Sequence, residues 1–212
     1  MCTATERGRS RGVTLVELIV FIVIVSTAVA GILTALDLGN RSSTDPMIQK
    51  QALAVAEALL EEVQLQSFTY CDPNDVDGNG FPKAATAASA ADCTDGAAGA
   101  WNEGKLPLGP ETGETRTDPT TPFDHVSDYN DFCMGPTCTS PSTVSDLSGS
   151  SIQGLEAYTA RVTVAQQAVG GGSVPQVSDS HALLITVRVT GPANTTVVLH
   201  GYRVRYAPNT LP

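Results

Sequence analysis

The sequence predicts an α+β fold, and three observations carry this prediction. A long apolar segment near the N-terminus has the length of a membrane-spanning helix. A second segment, up to about residue 66, repeats apolar residues at helical spacing. Near the C-terminus, three runs alternate apolar and polar residues, as antiparallel strands do. We therefore expect a long hydrophobic N-terminal helix whose C-terminal half packs on an antiparallel sheet of three to four strands.

The apolar segment runs from Leu18 to Leu36, which is 19 residues without a charge. At about 1.5 Å per residue, a helix of this length crosses a hydrocarbon layer of about 30 Å. It exceeds the apolar core of about 7–15 residues in an ordinary secretory signal, so an anchor fits better. Because Arg7, Arg9 and Arg11 precede it, we expect a single pass with the N-terminus in the cytoplasm and the C-terminal domain in the periplasm.

One carboxylate, Glu17, lies near the head of this segment. A carboxylate well inside a bilayer costs about 2.5–3.5 kcal/mol on insertion scales, so such residues are usually functional. The alternative is that Glu17 lies at the level of the lipid headgroups and is solvated. The surrounding sequence, G-V-T-L-V-E over residues 12–17 after an arginine-rich leader, favours a functional role.

This arrangement resembles the type IV prepilin (class III) signal, in which F-T-L-x-E follows a glycine. Gly12, Thr14, Leu15 and Glu17 match that pattern, and Val13 replaces the usual phenylalanine. The resemblance implies a pilin-like fold, cleavage between Gly12 and Val13 by a prepilin peptidase, and N-methylation of Val13. It also implies that the partners are other pilins or pseudopilins and an inner-membrane assembly platform, with the cell surface as destination.

The resemblance gives Glu17 a role in assembly. Cleavage would leave an α-amino group on Val13, which is largely protonated near neutral pH. In a filament, the Glu17 carboxylate of one subunit is expected to pair with the Val13 amine of its neighbour. Each charge alone is costly in an apolar bundle, and the pair sets the axial register of the subunits.

The chain divides by composition into five parts. We expect the long helix to be broken or kinked around residues 39–46, with Asp45 as N-cap and Pro46 at the first helical position of the second half. The parts are a leader (1–12), a hydrophobic helix (13–38), the second half of the long helix (39–66), a loop-rich acidic section (67–154) and the antiparallel sheet (155–212).

Apolar side chains at helical spacing define the face of the second half that needs a partner: Ile48, Ala52, Val55, Ala56, Leu59 and Val63. The predicted strands are centred on residues 158–164, 183–190 and 197–206. In the last strand, Tyr202, Val204 and Tyr206 share one face, and Arg203 and Arg205 share the other.

The loop-rich section carries the charge of the protein. Residues 72–146 contain 13 acidic and three basic residues, a net charge of −10 that equals the net charge of the whole chain. Nucleic acids are recognised mainly through Lys and Arg, so this surface argues against a nucleic-acid partner. We expect four aromatic residues to anchor the section by apolar burial: Trp101, Phe123, Tyr129 and Phe132.

Four cysteines follow the apolar segment: Cys71, Cys93, Cys133 and Cys138. An even number on one side of a membrane predicts two disulfides in an oxidising compartment. The spacing favours Cys71–Cys93 and Cys133–Cys138, and the two other pairings stay open. Free or metal-bound thiols are the alternative, but no paired C-x-x-C pattern supports a zinc site.

One motif points to a cofactor. Asp75, Asp77 and Asn79 form the D-x-D-x-N-G opening of a calcium loop, but Thr86 occupies the twelfth position, where a bidentate Glu is usual. A turn rich in Asp, Asn and Gly is the alternative. We expect no other cofactor.

We expect no enzymatic activity. The three histidines, at positions 125, 181 and 200, are isolated in the sequence, and no motif of a hydrolase, metalloprotease or phosphate-binding loop is present. Each histidine is expected to be structural or exposed.

Several short sequence blocks resemble MshD-like minor pilins of MSHA-type pili: residues 45–47, 50–54, 58–63, 70–73 and 201–206. The leading hypothesis is therefore a minor pilin, a structural and assembly subunit of a filament or its tip. A type II secretion minor pseudopilin fits the same signal. Two further hypotheses are a pilus-borne adhesin that binds a ligand through residues 72–146, and an anchored periplasmic enzyme.

Overall fold

The computed structural model describes residues 14–96, 99–172 and 174–205. The chain forms two compact units, residues 1–46 and 47–212. One helix, α1, spans Leu15–Leu65. The strands are β1 (Cys133–Met134), β2 (Thr159–Gln166), β3 (Val169–Gly171), β4 (Val174–Val177), β5 (Ala182–Thr190) and β6 (Thr196–Val204).

Helix α1 is assigned without interruption through residues 39–46, and Pro46 lies inside it. No new helix begins at Asp45 and Pro46, so the expected break is absent from the secondary structure, whereas the expected kink stays a prediction. A proline removes one N–H donor from a helix, but the hydrogen bonds of the turns before and after it remain. The boundary between the two compact units nevertheless falls directly after Pro46.

The second half of α1 packs on the sheet, as the apolar periodicity predicts. Ala52, Ala56, Leu59 and Val63 are buried, and Ile48 and Val55 are partly buried against the same core. The alternating apolar residues of β2 and β5 form the facing layer: Ala160, Val162, Val164, Leu183, Ile185, Val187 and Val189. The predicted fold class is therefore confirmed.

The main sheet has four antiparallel strands in the order β1-β2-β5-β6. The three long strands were predicted, whereas the two-residue β1 was not. Gly170 and Gly171, which lie between the first two predicted strands, belong to β3, which pairs with β4 in a separate two-stranded hairpin between β2 and β5.

Strand β6 places its arginine face inward. Tyr202 and Val204 are exposed, while Arg203 and Arg205 are half-buried. The Nη2 of Arg203 donates to the carbonyl oxygen of Gln66 at 3.3 Å, immediately beyond the last turn of α1, where a cation favours the helix dipole. The alternation in this strand thus positions a cation at the helix end. Tyr206, which was predicted to share a face with Tyr202 and Val204, lies outside the described residues.

Arg205 lies between two aromatic rings of the loop-rich section. Its guanidinium carbon is 4.2 Å from the ring centroid of Phe68 and 4.1 Å from that of Tyr70. Such cation–π contacts let an arginine pack inward with few hydrogen bonds. They also explain why a charged residue occupies the inward face of this strand.

The loop-rich section supplies part of the core rather than only a covering. Phe68, Val126, Tyr129, Met134 and Val144 are buried in the same cluster as the helix and sheet residues. Of the four predicted anchors, Tyr129 is buried, and Phe123 and Phe132 pack beside it. The fourth, Trp101, packs against the Cys71–Cys93 disulfide.

The four cysteines pair as the spacing favours. Cys71 is bonded to Cys93, and Cys133 is bonded to Cys138. The first bond joins the chain just after α1 to the region before Trp101. The second closes a short loop directly after β1 begins.

Candidate functional site

The first turn of α1 holds the motif on which the functional hypothesis depends. The backbone N–H of Glu17 donates to Oγ1 of Thr14 at 3.3 Å, and the N–H of Leu18 donates to the Thr14 carbonyl oxygen at 3.1 Å. Thr14 is thus the N-cap, and Glu17 is the third residue of the helix, where a carboxylate favours the helix dipole. The T-x-x-E spacing of the signal therefore also starts the helix.

The cleavage and methylation positions, Gly12 and Val13, lie outside the described residues. Glu17 is exposed, and its side chain forms no ion pair within the described part of the chain. A carboxylate at this position is available to a group on another molecule.

Residues Leu15–Leu36 have the length and composition of a membrane span, with a mean hydropathy of 2.7 and no part of the most apolar stretch buried. Apolar side chains are exposed on all sides of the helix, as in a helix that lipid or other helices surround. The hydroxyls of Ser26, Thr27 and Thr34 donate to helix carbonyls one turn earlier, at 2.7–3.0 Å. These polar groups are satisfied within the helix, as an apolar environment requires.

A second candidate site lies in the globular unit, where six acidic side chains and one histidine converge from four separate stretches. They are Asp72, Glu103, Glu111, Glu114, Asp124, His125 and Asp128. In groups of three, their ligand atoms lie within 4.8 Å of one another. The sequence does not reveal this convergence, because up to 56 residues separate its members.

Local backbone contacts bring these residues together. The N–H of Asp72 donates to the Trp101 carbonyl oxygen at 3.1 Å, and the N–H of Glu103 donates to the Tyr70 carbonyl oxygen at 3.2 Å. These two bonds, beside the isolated bridge between Cys71 and Asn102, align the chain after α1 with residues 101–103.

A 3₁₀ turn over Val126–Tyr129 supplies the other buried groups. Asp128 Oδ2 accepts from the N–H of His125 at 2.8 Å and from the N–H of Asp124 at 3.1 Å. These bonds satisfy one carboxylate oxygen of Asp128 and hold the turn in place.

Glu103 and His125 form the buried centre of the cluster. The Nδ1 of His125 lies 3.0 Å from Oε2 of Glu103, which also accepts a hydrogen bond from the Ser127 hydroxyl. The Nε2 of His125 accepts from the N–H of Thr69 at 3.1 Å, and its Nδ1 accepts from the N–H of Ser127 at 3.2 Å, so both ring nitrogens face backbone donors. His125 is therefore not isolated, as the sequence suggested, but lies directly against a carboxyl group.

Burial shifts the pKa values of this cluster toward the uncharged forms. Desolvation lowers the pKa of His125 to about 3 and raises the pKa values of Glu103 and Asp128 well above their usual range. Desolvation, followed by neighbouring carboxylates, raises the pKa values of Glu111 and Glu114 to about 8. In the protein alone, the contact between Glu103 and His125 thus joins neutral groups near pH 7.

The predicted calcium-loop residues have different surroundings. Asp75 is buried, and its carboxylate accepts from the N–H of Thr94 at 2.8 Å and lies 3.9 Å from Nζ of Lys83. Asp77 Oδ1 accepts from the N–H groups of Asn79 and Phe81, at 2.8 and 2.9 Å, which closes its own turn. These contacts satisfy both carboxylates within the protein, and calcium at this loop stays a prediction.

A buried ion pair fastens the loop-rich section to α1. Arg116 donates from Nε and Nη2 to the two carboxylate oxygens of Glu62, both at 2.7 Å, and from Nη1 to the carbonyl oxygens of Ser145 and Asp146. The Tyr129 hydroxyl donates to the same Glu62 carboxylate at 2.7 Å. This constellation is structural, since every polar group of the pair already has a partner.

Comparison with known proteins identifies the first site. The family described as the prokaryotic N-terminal methylation motif matches residues 7–33, which include Gly12, Val13 and Glu17. No curated protein and no solved structure matches the chain. With the exposed apolar helix, the match supports a prepilin-like protein of the type IV pilin and pseudopilin class. The motif implies processing by a prepilin peptidase, and the helix fits a single-pass membrane anchor.

Proposed function

We propose that this chain is a minor pilin of an MSHA-type pilus, a structural and assembly subunit without enzymatic activity. The observation that carries the proposal is the methylation motif at the head of a helix whose apolar side chains are exposed on every side. Such a helix needs an apolar surrounding, and the described residues do not cover it. A membrane provides it before assembly, and the helices of neighbouring subunits provide it in a filament.

Glu17 directs that assembly. After cleavage, the Val13 amine of one subunit and the Glu17 carboxylate of its neighbour neutralise each other in the apolar filament core. The capping bond from Glu17 N–H to Thr14 keeps the backbone of the first turn helical, so the carboxylate projects from a defined position.

One feature supports the narrower assignment. The blocks that resemble MSHA-type minor pilins include residues 58–63 and 201–206, and described members of the two blocks lie in contact. A Cβ built on Gly201 would lie 3.0 Å from Cδ1 of Leu60. The resemblance therefore falls on residues that set how the helix packs on the sheet.

Mass spectrometry of the mature protein tests this function. We expect an N-terminus at Val13 carrying one methyl group, and retention of the full leader when Gly12 is replaced by a bulky residue. A mature protein that still begins at Met1 in cells with an active prepilin peptidase would contradict the proposal. The variant Gly8→Ala, in the same leader, is the control and should be processed normally.

A type II secretion minor pseudopilin is the second candidate, because the same motif and helix serve both systems. Fractionation after mechanical shearing separates the two. A minor pilin is expected in the released filaments, whereas a pseudopilin is expected to stay with the cell envelope.

Point substitutions, rather than a deletion, are the suitable test of the adhesin hypothesis. Residues 72–146 include the core side chains Val126, Tyr129, Met134 and Val144, so removing part of this range would unfold the domain. Exposed residues such as Phe81 and Leu106 are suitable positions. Loss of surface binding with intact filaments in such variants would favour the adhesin.

A further inference from the structure

We propose that the globular unit binds a divalent cation, with the properties of calcium, between Asp72, Glu103 and Glu111. These residues line one pocket of about 690 Å³, together with Glu114 and the chain from Trp101 to Thr112. The site is separate from the loop over residues 75–80, which the sequence pattern indicates. It also does not depend on the assembly role of the N-terminal helix.

The spacing of the three carboxylates suits a calcium ion. Each offers one oxygen, and these three oxygens lie within 4.8 Å of one another. Calcium binds oxygen ligands at about 2.3–2.6 Å, so two ligands on opposite sides of the ion are up to about 5 Å apart. Glu114 belongs to two neighbouring groups of the same dimensions, one with Asp72 and one with Glu111, and is a further ligand from the same pocket.

An unsatisfied buried oxygen points independently to a ligand. Glu103 is only 3 % exposed, and its Oε1 has no hydrogen-bond partner among the described residues, although its Oε2 is bound by Ser127 and faces His125. The Oε2 of Glu111 is likewise buried and without such a partner. An unpaired oxygen in such a place costs free energy that a bound cation would recover.

Lys105 also lines this pocket, but among the described residues no Lys or Arg forms an ion pair with the three carboxylates. In the described ranges, no Lys or Arg nitrogen lies within 4.0 Å of the carboxylates of Asp72, Glu103 or Glu111. Arg205 is stacked on Phe68 and Tyr70. By contrast, the buried carboxylates elsewhere in the domain have cationic partners, as Asp75 has Lys83 and Glu62 has Arg116.

Calcium fits the donor set better than the other common divalent ions. The ligands are all carboxylate oxygens, which calcium prefers, whereas zinc sites in proteins use mainly nitrogen and sulfur ligands. They come from separate irregular stretches of chain, whose uneven geometry calcium accepts, whereas magnesium demands a near-ideal octahedron. Extracellular calcium modules bind with dissociation constants of about 10⁻⁴–10⁻³ M, and we expect this range.

Calorimetric and thermal titrations of the full chain in detergent micelles test the proposal. After treatment with a chelator, calcium chloride is added at constant ionic strength. We expect saturable binding of one ion and a rise in Tm of about 5 °C or more at about 10 mM calcium. Magnesium chloride at the same concentration is expected to give less than half of that rise.

Two conservative variants locate the ion. Glu103→Gln keeps the shape of the side chain and an acceptor for Ser127, so it should fold, but calcium affinity should fall at least tenfold. Glu111→Gln, at a less buried position, should also lower calcium affinity. It replaces the first variant in the test if Glu103→Gln folds poorly. Asp77→Asn in the calcium-like loop is the matched control and should bind calcium as the unchanged protein does.

Three results would overturn the proposal. The first is the absence of both binding heat and a Tm shift in the unchanged protein at about 10 mM calcium. The second is loss of binding in Asp77→Asn with unchanged binding in Glu103→Gln, which would place the ion in the loop. The third is an equal Tm rise from calcium, magnesium and added sodium chloride, which would indicate screening of surface charge only.

Discussion

Two glutamates on the same helix show how the two halves of α1 differ. Glu17 is exposed among apolar side chains and forms no ion pair with the described residues. Glu62 has a side chain that is 14 % exposed, is bound by both arms of Arg116 and accepts a further bond from Tyr129. The second half of the helix is therefore satisfied within its own domain, whereas the first half has polar and apolar groups left for other molecules.

The acidic pocket shares one property with each of these two glutamates. It is buried like Glu62, yet Glu103 and Glu111 each keep an oxygen unpaired within the described chain, so like Glu17 it is incomplete without a partner. Carboxyl groups without a partner among the described residues thus mark the two places where this protein is expected to bind something else, a neighbouring subunit at one and a cation at the other.

The largest effect is expected at Glu17. Replacing Glu17 with Gln or Ala should reduce incorporation into filaments at least tenfold, because the Val13 amine of the neighbour then has no counter-charge in the apolar core. The Tm of the isolated chain should not change, because the side chain is exposed. Filament yield by immunoblotting after shearing measures the first quantity, and thermal denaturation measures the second.

The matched control is Glu61→Gln, an exposed glutamate on the second half of the same helix. Normal assembly of this variant, beside a defect at position 17, would localise the effect to the signal. Normal assembly of both would refute the pairing between Glu17 and Val13.

The next largest effect is expected on stability, from breaking the ion pair between Glu62 and Arg116. Arg116→Ala should lower the free energy of unfolding by about 3–5 kcal/mol, because Glu62 is left as a largely buried carboxylate without its cation. Denaturant titration measures this change. The control, Arg161→Ala at an exposed position of β2, should change stability by less than about 0.5 kcal/mol.

The pair can also be replaced rather than broken. The double variant Glu62→Leu with Arg116→Met should recover much of the loss, since apolar groups of similar size remove both charges together. A double variant as unstable as Arg116→Ala would show that the remaining contacts of this arginine, to the carbonyls of Ser145 and Asp146, dominate.

A third prediction concerns pH in the presence of a chelator. Below about pH 4, Glu111 and Glu114 are protonated in both the folded and the unfolded chain, so they do not alter stability. As pH rises, the unfolded chain ionises first, while the folded pocket retains its protons up to a pKa of about 8. The free energy of unfolding should therefore fall between about pH 4 and pH 8.

Because these two groups are only partly buried, we expect a loss of about 2 kcal/mol rather than the full value of the pKa shifts. Thermal denaturation across this pH range measures it, and Glu111→Gln should flatten the curve. A free energy of unfolding that rises with pH would contradict the assigned direction. Calcium should reduce the loss, since the ion stabilises the ionised pocket.

The smallest effect is expected from two glycine substitutions, which test how tightly each half of the molecule is packed. A Cβ added at Gly191 would lie 2.5 Å from the ring of Tyr158, which is buried and donates from its hydroxyl to Gln51 at 2.8 Å. Gly191→Ala should therefore lower stability by about 1–3 kcal/mol in denaturant titration. Gly31→Ala, where a Cβ meets nothing within 4 Å, should not lower it.

Much of the fold could be predicted, because its signals are local. The apolar segment, the helical repeat before residue 66 and the three long strands each depend on periodicity within about 20 residues. Of the expected break or kink around residues 39–46, the break is absent because a single proline does not outweigh the helical preference of its neighbours. Strand β1 and the hairpin of β3 and β4 were missed because short strands carry too few residues for a pattern.

The sequence alone determined the N-terminal signal, since Gly12, Thr14 and Glu17 act through their positions along one continuous helix and its leader. Only the tertiary structure decided which face of β6 turns inward and that Glu62 binds Arg116, 54 positions away. It also gathered Asp72, Glu103 and Glu111 into one pocket. The physical reason is that periodicity reports short-range backbone geometry, whereas charge pairing and burial depend on contacts between segments that the sequence keeps far apart.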